Sequence, residues 1–197
     1  MANRTVELFE AQFQRQVSAR DFVLNPFEEA ALPYLTGRVL DLGCGLGNLS
    51  VAAARRGCEV VAVDASPTAI EHLSRVAREE GLRVTAVRAE IQQLEVPGTF
   101  DTVVAIGLLM FFPCALALEL LDRVQRAVQP GGCAVVTVLV QGTTFMDLFD
   151  GDRYCLFTPV QLERAFAGWT ILFSREGGFP GPGATVKRFT TLIARRP

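Results

Sequence analysis

Between Val39 and Ser50 the chain packs a strand, a tight turn and a helix start into one short stretch. The apolar run Val39-Leu40 ends at Asp41-Leu42, turns through Gly43, Gly45 and Gly47, and enters a helical pattern at Asn48. Alternating glycines let a backbone reverse sharply and approach a ligand with no Cβ in the way. A helix that starts there points its unpaired N–H groups and positive dipole end at the same spot. Few folds accept that order. It is the ligand-binding corner of an α/β sheet.

The β-α alternation continues to the C-terminus. The residue pattern predicts strands over 39–42, 59–64, 83–88, 102–106 and 133–140, with helices over 48–56, 67–80 and 115–128. Ser66-Pro67 opens the second of these helices, serine as its cap and proline in its first turn, and Gly81 stops it. Thr158-Pro159 opens a further helix, and strands near 169–175 and 189–194 follow. Upstream, Val6, Phe9, Phe13 and Val17 recur at helical spacing, and Asn25-Pro26 starts a short second helix. The expected architecture is a doubly wound, seven-stranded, mostly parallel sheet in a single domain, with 1–36 as an N-terminal helical cap and 37–197 as the core. The glycine/proline run from Gly177 to Gly183 is expected to be the hairpin loop between the last two strands.

Charge and cysteine usage narrow the partners. Lys and Arg number 19 against 21 Asp and Glu, and no basic block is present to follow a phosphate backbone, which disfavours nucleic acid. The five cysteines (44, 58, 114, 133, 155) are odd in number and lack C-x-x-C spacing. They predict a reducing compartment, no disulfide framework and no metal site. The stretch 102–118 is uncharged, but Gly107 and Pro113 interrupt it, so it reads as a buried strand, a loop and a helix start rather than a membrane span. The first residues lack a signal-peptide core. The chain is expected to be cytoplasmic, to engage no membrane and to act on a small molecule, with its oligomeric state open.

The glycine spacing selects the ligand. A dinucleotide fingerprint runs G-x-G-x-x-G to seat a pyrophosphate. Here the third glycine comes one residue early, and Asp41 stands where a carboxylate would repel a pyrophosphate but suit an ammonium group. Asp64, closing the run Val60-Val61-Ala62-Val63, is placed to accept from ribose hydroxyls. Ribose plus an amino-acid ammonium describes S-adenosylmethionine.

Asp41-Leu42-Gly43-Cys44-Gly45-Leu46-Gly47 with Val63-Asp64-Ala65-Ser66 resembles the cofactor signature of class I S-adenosylmethionine-dependent methyltransferases, a Rossmann-like family, and Gln129-Pro130-Gly131-Gly132 resembles that family's turn into its fifth strand. The resemblance implies cofactor contacts from Asp41, Gly43, Gly45, Asp64 and Ala65, adenine contacts from Glu90 and Ile91, and room for the methionine tail at Ile106-Gly107. Phe111 and Phe112 are the expected walls of the substrate pocket. The segment after the fourth strand lacks the Asn/Asp-Pro-Pro-aromatic tetrapeptide of base amino-methyltransferases, so base methylation is disfavoured.

A narrower resemblance, to the tellurite-resistance branch, rests on Ile106–Phe112, Gly168-Trp169 and the closing Val186-Lys187-Arg188-Phe189-Thr190-Thr191-Leu192-Ile193-Ala194-Arg195-Arg196. It implies that Arg188 meets an oxyanion acceptor such as tellurite or selenite. The chain departs from that branch at Gly178-Phe179-Pro180-Gly181-Pro182-Gly183, where the branch carries a polar segment with a histidine.

His72, the single histidine, reads as an ordinary surface-helix residue, and no nucleophile–histidine pair can be built. Transfer from a sulfonium to a soft nucleophile asks mainly for positioning and desolvation, so the missing base fits sulfur or a metalloid; a metalloid oxyanion such as tellurite or selenite is the favoured acceptor and a thiol the alternative. Two other readings stay open at this point: a nicotinamide-dependent oxidoreductase and a non-catalytic cofactor-binding module.

Overall fold

A computed structural model describes residues 4–95 and 98–197. Two helices come first, α1 (Arg4–Ala19) and α2 (Pro26–Ala31). The alternating region then runs β1 (Arg38–Leu42), α3 (Asn48–Arg55), β2 (Glu59–Asp64), α4 (Pro67–Glu79) and β3 (Val84–Arg88). It continues through β4 (Phe100–Ile106), α5 (Cys114–Ala127), β5 (Val128–Leu139), α6 (Pro159–Ala165), β6 (Thr170–Pro180) and β7 (Val186–Arg195). The strands form one sheet in the order β3-β2-β1-β4-β5-β7-β6. Neighbours are parallel from β3 to β5, while β7 runs antiparallel to both β5 and β6. Strand order reverses between β1 and β4. A crevice opens there beyond the carboxyl ends of the strands.

Side-chain alternation divides the core into two layers. One face of the sheet, including Leu40, Val103 and Val136, packs on Leu120, Leu121 and Val124 of α5 and on Leu162 and Phe166 at α6. The other face, including Val39, Val60, Val104 and Ile193, packs on Leu49 and Ala53 of α3 and Leu73 of α4. Burying each such Leu or Val contributes roughly 1.5–3 kcal/mol.

Local signals start the helices where expected. Asn25 caps α2, its side chain accepting from the N–H groups of Phe27 (2.9 Å) and Glu28 (3.1 Å) while its own N–H donates to Glu28 Oε2 (2.8 Å). Ser66 Oγ accepts from Ala69 N–H at 3.0 Å to begin α4. Gly47 opens α3 with φ +78°, and a Cβ on it would stand 2.6 Å from Leu73 of α4. The third glycine is therefore required both by the turn and by helix packing.

Four features depart from the sequence expectation. β5 begins at Val128, because Gln129–Gly132 is absorbed as an irregularity between the pairs Phe100↔Val128 and Thr102↔Cys133. β6 runs on to Pro180 paired with Val186, so half of the glycine/proline run is strand and the loop shrinks to 181–185. His72 is buried, not surface-exposed, because Phe22 from the α1–α2 connection stacks on its ring at 4.4 Å. Cys114 and Cys155 form a disulfide across 41 residues of sequence, which corrects the expectation of five unpaired cysteines. That pairing leaves Cys44, Cys58 and Cys133 free and buried. Parity and local spacing could not reveal a bridge made by the fold. The uncharged stretch 102–118 is strand, turn and helix start, and no helix among the described residues is long and apolar enough to cross a membrane.

Candidate functional site

At the crevice a cavity of about 560 Å³ opens, floored by the glycine turn and roofed by α1. Such a volume suits a ligand of cofactor size. The turn is fixed by its neighbours. Gly43 N–H and Cys44 N–H donate to Val63 O at 2.8 and 3.1 Å, tying it to β2. Gly45 N–H donates to Asp64 Oδ2 at 2.9 Å, and Ser66 N–H donates to Asp64 Oδ1 at 2.9 Å. Each carboxylate oxygen keeps a further lone pair for a ligand. Burial pushes the Asp64 carboxyl up, and these backbone bonds oppose the shift.

Asp41 lies deeper, 5% exposed, with its Oδ2 accepting from Ser50 Oγ–H at 2.6 Å. Burial pushes its carboxyl up to about 7; the Ser50 bond opposes this, and the charges of Glu28 and Asp64 add to it. Glu90 and Ile91 line the cavity after β3, and Ile106 and Gly107 line it after β4. All nine predicted cofactor residues come together around one space.

The far end is aromatic. Phe111 and Phe112 both line the cavity as expected. Phe111 packs edge-on to Phe9 of α1 at 5.2 Å and against Phe149 at 5.7 Å, and Phe149 stacks on Tyr154 at 4.6 Å. Across from them Phe27 of α2 meets Phe189 of β7 at 4.7 Å. The β5–α6 connection, which brings Leu148 to the wall, is held to the 108–114 segment by the Cys114–Cys155 bridge and by Cys155 N–H donating to Met110 O at 3.0 Å.

One predicted residue is not among the lining side chains. Arg188 is exposed on the opposite face of β7, where a Cβ added to Gly142 would stand 3.0 Å from its Cδ. Lys187 and Phe189 line the cavity instead. Successive strand side chains point to opposite faces, so an offset of one residue exchanges the candidates. Sequence reasoning also missed Glu28, Phe27 and the cavity face of α1. The alternation Lys187/Phe189 could have pointed to the first correction; nothing in the local sequence places α2 against β7.

Residues 39–132 match the methyltransferase domain family. The chain is 29% identical over 143 residues to carboxy-S-adenosyl-L-methionine synthase of Geobacter metallireducens, covering 68% of this chain and 58% of that protein. It is 31% identical over 128 residues to the ubiquinone biosynthesis O-methyltransferase of Xylella fastidiosa, covering 64% and 51%. The chain thus spans a little over half the length of these relatives. Among solved structures, TehB from Haemophilus influenzae superposes with a TM-score of 0.76 at 19% identity, covering 89% of this chain and 63% of that one. At that identity the likeness establishes the fold.

Proposed function

We propose that the chain is a class I S-adenosylmethionine-dependent methyltransferase and that it moves the methyl group of that cofactor to a small-molecule acceptor. The observation that carries this reading is the Asp64 carboxylate, held by Gly45 and Ser66 N–H groups at the edge of the cavity. The donor set fits the cofactor. Asp64 suits ribose hydroxyls, Asp41 suits an ammonium group, Ile91 offers an apolar face to the adenine and Glu90 an acceptor for its amino group. A nicotinamide dinucleotide fits poorly, because Asp41 would face its pyrophosphate.

When bound, the cofactor supplies a methyl group on a sulfonium, open to in-line displacement. The chain's residues position and desolvate. Gly107 leaves space beside the tail, while Phe111, Phe189 and Leu148 exclude water from the reacting end. The carboxylates Glu28, Asp41, Asp64 and Glu90 line the cavity against one cationic lining side chain among the described residues, Lys187. That balance favours a neutral soft nucleophile, such as a thiol, over an anion. A metalloid oxyanion, tellurite or selenite, is the second reading, and Lys187 is the observation that favours it.

Thermal-shift measurement tests the cofactor: S-adenosylmethionine and S-adenosylhomocysteine should raise Tm, and NAD should not. At a hundredfold excess over Kd the stabilisation is about 2.7 kcal/mol. Single-turnover assays with labelled S-adenosylmethionine against a thiol, selenite and tellurite then rank the acceptors. A shift with NAD and none with S-adenosylhomocysteine would overturn the reading.

A further inference from the structure

Helix α2 brings to the cavity a carboxylate that the glycine turn does not account for. Glu28 lines the space, and its charge acts on Asp41 strongly enough to be felt more than that of Asp64. Among the described residues neither Glu28 nor Asp41 has an ion-pair partner. The lining lysine, Lys187, pairs with neither carboxylate, its Nζ lying over the Phe145 ring at 5.0 Å from the centroid. Two carboxylates facing one space with no counter-charge repel each other when ionised, and a cation between them removes that repulsion.

Hydrogen-bond capacity defines that cation. Asp41 Oδ2 is occupied by the Ser50 hydroxyl, which leaves Oδ1. Glu28 Oε2 is occupied by the Asn25 N–H, which leaves Oε1. A primary ammonium offers three N–H donors, enough for one bond to each remaining oxygen. The capping box directs Glu28: the bond that starts α2 also orients its carboxylate.

We propose that Glu28 and Asp41 jointly grip the α-ammonium of the S-adenosylmethionine tail, which makes α2 a working part of the cofactor site. This rests on the cofactor reading above. Glu28 is then a binding residue for the tail, and the acceptor lies farther out, between Phe27, Phe189 and Lys187.

Calorimetry with two ligands tests it. S-adenosylhomocysteine carries the amino-acid tail; 5′-methylthioadenosine keeps the nucleoside and lacks that tail. Glu28→Gln retains a carbonyl to accept from Asn25, so α2 stays capped. The variant should bind S-adenosylhomocysteine on the order of tenfold more weakly and 5′-methylthioadenosine unchanged. A deaminated S-adenosylhomocysteine analogue completes a double-mutant cycle and should bind wild type and Glu28→Gln alike. Equal losses for all three ligands, or an unchanged S-adenosylhomocysteine affinity, would overturn the grip and leave the cofactor reading intact. Failure of wild type to bind either nucleoside would overturn the cofactor reading itself.

Discussion

The backbone N–H of Gly45 donates to Asp64 Oδ2 at 2.9 Å, so the turn after β1 and the end of β2 are one mechanical unit. The carboxylate proposed to meet a ribose also holds the glycine turn in place. Asp64→Ala should weaken S-adenosylhomocysteine on the order of tenfold to several hundredfold, at roughly 1.5–3 kcal/mol per bond lost. Asp64→Asn should recover little, because its single carbonyl can serve only one of the two backbone donors and its amide N–H₂ would face the other. Calorimetry on the two variants checks this; unchanged affinity in Asp64→Ala would remove the residue from the site.

Asp41 predicts a pH dependence with two opposite signs. Its buried carboxyl titrates at about 7 in the folded chain, against about 4 when exposed. Between those values the folded state binds more protons than the unfolded one, so this group's contribution to stability falls as pH rises from about 4 to about 7. Binding of an ammonium favours the carboxylate, so S-adenosylhomocysteine affinity should climb by about tenfold per pH unit and level off above about 7. Glu28 on α2 and Asp64 on β2 face the same space and broaden the climb. Titrations across the neutral range should show this slope in wild type and a flatter one in Asp41→Asn.

The Cys114–Cys155 bridge predicts a redox-dependent stability. Closing a loop of 41 residues restrains the unfolded chain by up to about 4 kcal/mol, or about 10 °C in Tm for a domain of this size. Reductant should lower Tm by that order in wild type and leave Cys114→Ser unmoved. Scanning calorimetry with and without reductant decides it; a wild-type Tm indifferent to reductant would mean that the bridge contributes nothing in solution.

Acceptor charge can be read from adjacent residues on β7. Lys187→Gln should lower single-turnover methylation of selenite or tellurite on the order of tenfold relative to a thiol, the effect of losing one charge-assisted bond. Arg188→Gln, on the opposite face, should change neither rate. An unaltered oxyanion rate in Lys187→Gln would eliminate the second acceptor reading.

What could be read from the chain divides along physical lines. Strand–turn–helix signals are local, so Asp41, the glycines, Asp64 and the caps Asn25, Ser66 and Thr158 were all legible before any fold was seen. Glu90, Ile91 and Gly107 came from the family resemblance, which places them just after strand ends, where ligands sit. The choice between Lys187 and Arg188 depends on which face of β7 meets the crevice, and that is a tertiary fact. The same holds for Glu28, which reaches the cavity through packing of Phe27 on Phe189, and for Cys155, brought to Cys114 by the connection after β5.

The roof formed by α1 bears on how the cavity is reached. Phe13 lies over the glycine turn, 3.2 Å from where a Cβ on Gly45 would stand, and Glu10 accepts from the Ser66 and Thr68 hydroxyls at the start of α4. The glycine-turn side of the cavity is therefore beneath a fastened helix, on the side proposed to take the nucleoside. For a two-substrate transfer of the kind proposed, the expected order is that the nucleoside ligand enters first and leaves last. On the proposed function, spent S-adenosylhomocysteine should then inhibit competitively against fresh cofactor, a pattern that initial-rate kinetics check.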